Sequence, residues 1–256
     1  MKAVSPHVIS AVRLIRGVIG KQFLPAQIKI KMLDYKLWIE RAVSFTHNLA
    51  ELAPYFDDVK SEVSVQPPLT ESELVEIASK TDRQIPQELA NFWLTGSRHC
   101  DCSYICENAN SEIVPQIENI FDSFQEIYGG ASLINAADLS QHLLNCRDWA
   151  EETWVAEYPQ DKSFWLNSMP FAEMNNGDYL ALDTTEAKDN PPVVYLSHDD
   201  ESFVIAESFT DFLTHWERLC YIGPESWMLE SFLGENGYIN SDSVKAEDLR
   251  RLLGLS

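Results

Sequence analysis

The chain has 256 residues, 45% of them hydrophobic and 23% charged, which are ordinary values for a globular protein and exclude wholesale disorder. It carries 19 Lys and Arg against 40 Asp and Glu, a formal net charge of -21, with 9 basic and 5 acidic side chains in residues 1–60 and 10 basic and 35 acidic ones in residues 61–256. Because such a field repels a phosphate backbone and attracts basic protein surfaces, the composition argues against nucleic-acid binding.

The N-terminal quarter predicts two helices. Apolar residues recur at helical spacing over residues 8–19, and a second helix is predicted from near Pro25 toward residue 52, because proline suits a first helical turn. We expect this N-terminal helical extension, residues 1–60, to pack on a main domain that spans residues 61–256. The stretch 58–69 is predicted to connect the two.

The main domain opens with helices and one strand. Thr70 and Glu73 form a capping-box pattern that predicts a helix through Ser79. Pro86 marks the start of the next helix, which we expect to bury Leu89, Phe92 and Trp93. A strand follows over residues 100–106, and a helix opens at Asn135 and carries Leu139, Leu143, Leu144, Trp149 and Trp154.

The second half is predicted to change from strands back to helices. After Pro159 the pattern is strand-like to about Phe203, and Ser208 then caps a helix with Phe212, Leu213, Trp216 and Leu219 on its apolar side. Further helices are predicted at 224–233 and 244–253. The order of helices, mostly strands and then helices indicates an α+β fold and not alternating βαβ units.

The cysteines offer the most direct candidate for metal or nucleophilic chemistry. Thiolates bind zinc, and His99, His142 and Cys146 could complete a ligand set with the segment CDCSYIC at 100–106. Structural zinc sites use C-x₂₋₄-C, however, whereas Cys100, Cys102, Tyr104 and Cys106 alternate with the period of a strand. We therefore interpret them as core residues and expect no metal, no cofactor and no catalytic residue.

Cysteine number and hydropathy bear on the compartment. Five cysteines, an odd number, argue against a disulfide framework, and Arg13 and Arg16 interrupt the first apolar segment, which is unlike a signal peptide. No apolar run approaches the roughly 20 residues that a membrane helix needs. We expect a cytoplasmic protein that does not bind membranes.

The segment 169–200 predicts an antiparallel meander of three strands, 169–174, 179–183 and 193–196. The turn at 175–178 is dense in residues that tolerate positive φ, and His198-Asp199-Asp200 is interpreted as a turn in preference to a metal-hydrolase fragment. Acidic residues stand at the loop tips, and they either form solvated loops or a docking surface for a partner. These candidate contact residues are Asp178, Asp183, Glu186, Asp189, Asp199, Asp200 and Glu201.

The chain also resembles the SUKH superfamily, the domain of a fungal cell-wall-assembly regulator and of many bacterial toxin-immunity proteins. The resemblance covers residues 70–222 and is carried by a series of short motifs in the right order. These are Thr70–Glu73, IPQELANFW at 85–93, Tyr128-Gly129-Gly130, MPFAEMNNGDYLALD at 169–183, PPVVYLSHDD at 191–200 and SFTDFLTHW at 208–216.

The resemblance implies both a fold and a role. It implies an α+β fold with a mixed, strongly twisted sheet flanked by helices, and a binding module that is not an enzyme. It implies an immunity protein that binds and neutralises a cognate toxin, a basic secreted domain such as a nuclease, with a regulatory scaffold of the cell-wall-regulator type as the alternative. An enzyme that uses the cysteines or a metal is the third hypothesis.

Overall fold

The computed structural model describes residues 33–121, 126–152 and 158–255. The helix predicted over residues 8–19 and the start predicted near Pro25 lie outside these residues, as does Trp154. In the described part, helix α1 spans Tyr35–Leu52, and the Asp34 carboxylate caps it by accepting a hydrogen bond from the Leu37 amide.

The remaining elements of the first half follow in chain order. They are β1 (Phe56–Val65), α2 (Glu71–Lys80), α3 (Gln87–Thr95), β2 (Cys100–Ala109), α4 (Val114–Phe121), β3 (Ile127–Gly130), a 3₁₀ turn (Ala136–Asp138) and α5 (Leu139–Ala150). The capping box at Thr70 and Glu73 is present, and Leu89, Phe92 and Trp93 are buried on α3, so both helix predictions are confirmed.

The second half contains a helix, four strands and further helices. They are α6 (Pro159–Asn167), β4 (Ser168–Glu173), β5 (Tyr179–Asp183), β6 (Val193–Leu196), β7 (Phe203–Ala206), α7 (Phe209–Arg218), α8 (Ser226–Leu229), a 3₁₀ turn (Glu230–Phe232) and α9 (Val244–Leu252). The three predicted strands of the meander and the Ser208 cap of α7 are confirmed.

The described strands form two antiparallel sheets. One is three-stranded in the order β1-β2-β3, and the other is a four-stranded meander in the order β4-β5-β6-β7. The fold is α+β, as predicted, but the mixed sheet is wrong for these strands. The strands β4 to β7 follow one another through short loops, which favours antiparallel pairing, whereas β1, β2 and β3 pair antiparallel across longer connections that contain helices.

Two element predictions fail for identifiable reasons. Residues 159–167 form helix α6 and not a strand. The prediction failed because an apolar run as short as Phe164-Trp165-Leu166 shows no periodicity that distinguishes a helix from a strand. Residues 56–65 form strand β1 and not a connection. This strand lies at the edge of its sheet and is mostly exposed, so it carries little of the apolar signal by which strands are recognised.

Helix α1 and strand β1 share the core of the residues that follow them. The Trp38 ring lies 5.4 Å from the Tyr221 ring and 6.3 Å from the Trp216 ring, and its indole Nε1 donates to the Leu213 carbonyl at 3.0 Å. β1 pairs with β2 over Phe56–Val65, so the domain division predicted at residue 60 falls inside a strand. Burial of these aromatic side chains supplies a large part of the favourable free energy of folding.

Candidate functional site

The seven acids predicted as contact residues lie at two opposite ends of the four-stranded sheet. β5 pairs with β6 so that Tyr179 faces Leu196 at one end and Leu182 faces Val193 at the other. Asp178, Asp199, Asp200 and Glu201 therefore lie at the Tyr179 end, and Asp183, Glu186 and Asp189 lie at the opposite end. A five-residue strand separates the two groups by about 13 Å or more, so the structure does not bring them into one patch.

Asp178 is a correction to the predicted surface, because its carboxylate is buried. Its Oδ1 accepts hydrogen bonds from the His198 amide at 2.9 Å and from His198 Nδ1 at 2.7 Å, and its Oδ2 accepts from the Tyr195 hydroxyl at 2.5 Å and from Asn176 Nδ2 at 2.8 Å. A buried carboxylate needs such donors to replace water. Asp178 is therefore an internal anchor for the loop at residues 197–202 and is not exposed for contact.

A second buried carboxylate holds the same loop. Asp161, on α6, accepts hydrogen bonds at its Oδ2 from the Ser202 amide and the Ser202 hydroxyl, both at 3.0 Å. With Asp178 near one end of the loop and Asp161 at the other, the three acids between them remain exposed: Asp199, Asp200 and Glu201. This loop is a polar turn, as the sequence predicted, and it presents its acids on a fixed backbone.

The acids at the opposite end include one that is paired with a lysine. Asp183 is half-buried and its Oδ1 accepts from the Thr185 amide at 2.9 Å. Glu186 lies 2.9 Å from the Lys188 ammonium, which lowers the pKa of the Glu186 carboxyl, and Asp189 is exposed. Local pairing leaves this end with a weaker net negative field than the loop at 197–202.

The metal alternatives find limited support in the geometry. Asp178, His198 and Asp199 place their ligand atoms within 4.8 Å of one another, with His198 Nε2 4.0 Å from Asp199 Oδ2. Asp178 already accepts four hydrogen bonds, so an ion would find His198 and Asp199 as its two uncommitted ligands, fewer than the three protein ligands of a catalytic zinc. Cys100, Cys102 and Cys106 are buried core residues, and burial raises the pKa of Cys106 to about 12.

A cleft of about 990 Å³ is the concave feature that sequence reasoning missed. Its floor includes the outer face of β2, at Asp101, Ser103 and Ile105, opposite to the face that carries the cysteines. Five acids from five chain segments line it: Glu62, Asp101, Asp138, Glu173 and Glu225. The alternation on β2 could have placed Asp101 on an outer face, but no local pattern shows that these segments converge.

The turn that contains Asp178 connects the cleft to the 197–202 loop. Met174 and Asn175, in the turn that contains Asp178, line the cleft, and the Tyr195 hydroxyl that donates to Asp178 accepts from the Ser226 amide at 3.0 Å. Glu225, next to Ser226, is half-buried, and burial together with the charge of Asp178 raises the pKa of its carboxyl. The candidate functional site is therefore this cleft with the loop beside it.

Comparison with known proteins identifies the family. The model of the SMI1 / KNR4 family (SUKH-1) matches residues 68–215, more than half of the chain, and the range includes the turn with Asp178 and most of the segments that form the cleft. Comparison with curated proteins gave no match. Among the described helices, none has the length and apolar character needed to cross a bilayer. The resemblance found in the motifs is confirmed, and the chain belongs to the SMI1/KNR4 family (SUKH-1).

Proposed function

We propose that the chain is a non-enzymatic protein-binding module of the cytoplasm, an immunity protein that binds and neutralises a basic toxin domain. The family includes immunity proteins as well as the cell-wall regulator. The observation that carries the proposal is the charge of residues 61–256, which carry 35 acidic and 10 basic side chains. A nuclease must hold phosphates in a basic groove, so a strongly acidic partner can fill that groove and accelerate the encounter by electrostatic steering.

The fixed acidic loop beside the cleft supports the same role. Two buried carboxylates position the backbone of residues 197–202, so its exposed acids need little ordering when a partner binds. The cysteines, which an enzyme of the thiol or metal class would need at a surface, are all buried and unpaired. Unpaired thiols are also typical of a reducing compartment.

The proposal is tested by sequencing the genes beside this one and co-expressing the chain with any basic secreted domain that they encode; absence of such a domain counts against the immunity role. We expect the chain to restore growth to cells that express that domain, and the purified pair to form a stable complex. An unrelated acidic protein of similar net charge serves as the control and should not restore growth. Failure of the chain to bind or neutralise that domain, together with capture of housekeeping proteins, would reject the immunity role and favour the regulatory scaffold.

An enzyme remains the alternative that metal analysis addresses. We expect purified protein to contain less than stoichiometric zinc and to show no thiolate-to-metal absorption, because the thiols lie in the core. Stoichiometric zinc with that absorption would contradict the non-enzymatic proposal and restore the metal hypothesis.

A further inference from the structure

The cleft between the outer face of β2 and the end of β4 has more negative charge than its own residues neutralise. Among the described residues that line it, the five acids face Lys60 as the one Lys or Arg side chain, with His99 and His142 as the remaining basic groups. Lys60 is already committed, because its ammonium contacts both Asp58, at 3.1 Å, and Glu107 on the same sheet. The cleft is therefore left with several uncompensated carboxylates.

Three of these carboxylates have at least one oxygen without a hydrogen-bond donor or cation from the described part of the chain. The side-chain carboxylates of Glu62 and Asp138, both exposed, have no hydrogen-bond or ion-pair partner among the described residues. Glu225 is half-buried, and its Oε2 is shielded from solvent without any donor in the described part of the chain. A shielded carboxylate oxygen without a donor is costly unless a ligand supplies one.

The remaining lining gives the cleft a fixed shape. Asp101 Oδ1 accepts from the Ser132 hydroxyl at 2.5 Å, and Glu173 Oε1 accepts from the Tyr179 hydroxyl at 2.6 Å. The Tyr128 ring packs edge-on against the Trp227 ring, with 5.1 Å between centroids, beside Glu225. The volume of the cleft, about 990 Å³, is large enough to enclose several side chains.

We infer that this cleft receives a protruding segment of a protein partner that carries several Lys or Arg side chains. The inference deepens the proposed function and rests on it, since it specifies where a basic partner is held. The acids are spread over five segments, so they match cations that are spaced along a polypeptide. They do not match a single metal ion, because the described residues place three ligand-type side chains close together only at Asp178, His198 and Asp199, outside the lining.

The methylene stems of the partner's Lys and Arg side chains add a second, apolar contribution to the binding free energy. Tyr128, Ile105 and Leu133 give the floor apolar and aromatic surface beside the acids. Lys and Arg side chains bury their methylene stems on such surface while their charged heads reach carboxylates, and a guanidinium also stacks on aromatic rings. A cleft with both features selects a basic polypeptide over a small inorganic cation.

The test measures binding of a fluorescent decalysine peptide to the full chain by anisotropy, at several salt concentrations. The cleft variant is Glu62→Gln with Asp138→Asn, and the matched control is Glu186→Gln with Asp189→Asn at the far end of the four-stranded sheet. Both remove one Glu and one Asp charge from exposed positions. We expect the cleft variant to weaken binding about five- to tenfold and the control by less than about twofold.

Amide hydrogen exchange on the wild-type chain gives a second measurement that needs no variant. Bound peptide should slow exchange in β2 and in residues 222–226, and not in residues 184–190. Equal weakening by the two variants, or protection away from β2, would overturn the cleft as the site. Tighter binding of free spermine than of the peptide would point to a polyamine and also overturn it.

The two proposals fail in different ways. A cleft variant that binds the toxin domain and restores growth as well as wild type rejects the cleft while the immunity role stands. A wild-type chain that binds decalysine in the cleft but no toxin domain rejects the immunity role while the basic-segment site stands.

Discussion

Asp178 joins the turn between β4 and β5 to the loop between β6 and β7. Its two carboxylate oxygens accept four hydrogen bonds, two of them from the amide and ring of His198. The adjacent Gly177 has φ +99°, and a side chain there would approach the Trp149 ring at 3.3 Å, so the turn also needs glycine. The Gly-Asp step of the motif is therefore explained by local structure.

We predict that Asp178→Asn lowers the free energy of unfolding by about 2–3 kcal/mol, because an amide cannot accept all four hydrogen bonds and leaves buried donors unpaired. Urea unfolding followed by circular dichroism measures the change. Asp199→Asn is the matched control at an exposed position in the neighbouring loop and should change stability by less than about 0.5 kcal/mol. Equal effects of the two substitutions would contradict the anchoring role.

Glu73 gives a pH-dependent prediction. The Thr70 amide, then Arg98 and the Thr70 hydroxyl, lower the pKa of its carboxyl to about 2. A carboxyl with a lowered pKa in the folded state stabilises the protein above its unfolded pKa, and this contribution disappears as the pH falls toward 2. We expect Glu73→Gln to be less stable than wild type at neutral pH.

The stability difference between wild type and Glu73→Gln should shrink as the pH falls from about 5 toward 2, since protonation removes the charge that the substitution removes. Thermal unfolding at a series of pH values measures it. Glu71→Gln, in the same first turn, is the control, because it lies outside the capping box and should show a smaller pH-dependent difference. A constant difference across the series would contradict the assignment to the Glu73 charge.

At the scale of elements, strand β2 divides two environments. Cys100, Cys102, Tyr104 and Cys106 point into the core, and the residues between them are half-buried in the cleft floor. The Tyr104 hydroxyl donates to the Cys220 carbonyl at 2.8 Å. One strand thus contributes to the core with one face and to the candidate site with the other.

We predict that the thiols of this strand do not react with Ellman's reagent in the folded protein. Each is buried, and burial raises the pKa of Cys106, and of Cys146 on α5, to about 12, so these groups are neutral thiols at neutral pH. In concentrated urea all 5 cysteines of the chain should react. Rapid reaction before unfolding would show that a thiol is exposed and reactive.

Period and capping predicted the elements whose pattern is strong. The period-two cysteines predicted β2, the capping residues predicted α2 and α7, and the Asn-Asn-Gly-Asp turn predicted the β4–β5 hairpin. The edge strand β1 and the helix α6 were missed, because an exposed strand has little apolar pattern and a three-residue apolar run has no measurable period.

The candidate site was predicted less well than the fold, for a physical reason. Sequence reasoning placed Asp178 on the surface because a turn residue is usually solvated, and burial by Tyr195 and His198 depends on contacts 17 and 20 residues away. The cleft acids come from five segments, and only tertiary contacts bring them together. Loop position alone therefore could not identify which acids share a surface.

At the scale of the whole molecule, the acids lie at two ends of one sheet. Association rates of variants at each end can therefore distinguish a local contact from the effect of the global electrostatic field. We predict that Asp199→Lys with Glu201→Lys slows association with a basic toxin domain about tenfold at low salt and flattens its salt dependence, because these exposed acids lie on a loop that Asp178 and Asp161 hold in place. Stopped-flow mixing over a range of NaCl concentrations measures both quantities.

The pair Glu186→Lys with Asp189→Lys is the control at the other end of the same sheet, with the same change in net charge. We expect a smaller change in rate, since the global field changes equally and only the local contact differs. Equal slowing by both pairs would mean that steering is global, and an unchanged rate for the first pair would exclude the 197–202 loop from the contact face.

The Gly177-Asp178 step, with its buried carboxylate, bears on how such chains diversify. Its role is satisfied by groups inside the fold, whereas the acids around it project into solvent and hold little of the structure. Related proteins can therefore keep this turn while their solvent-exposed residues are substituted to bind unrelated targets. Two proteins that share the turn are alike in architecture, and the turn by itself says nothing about which molecule either one captures.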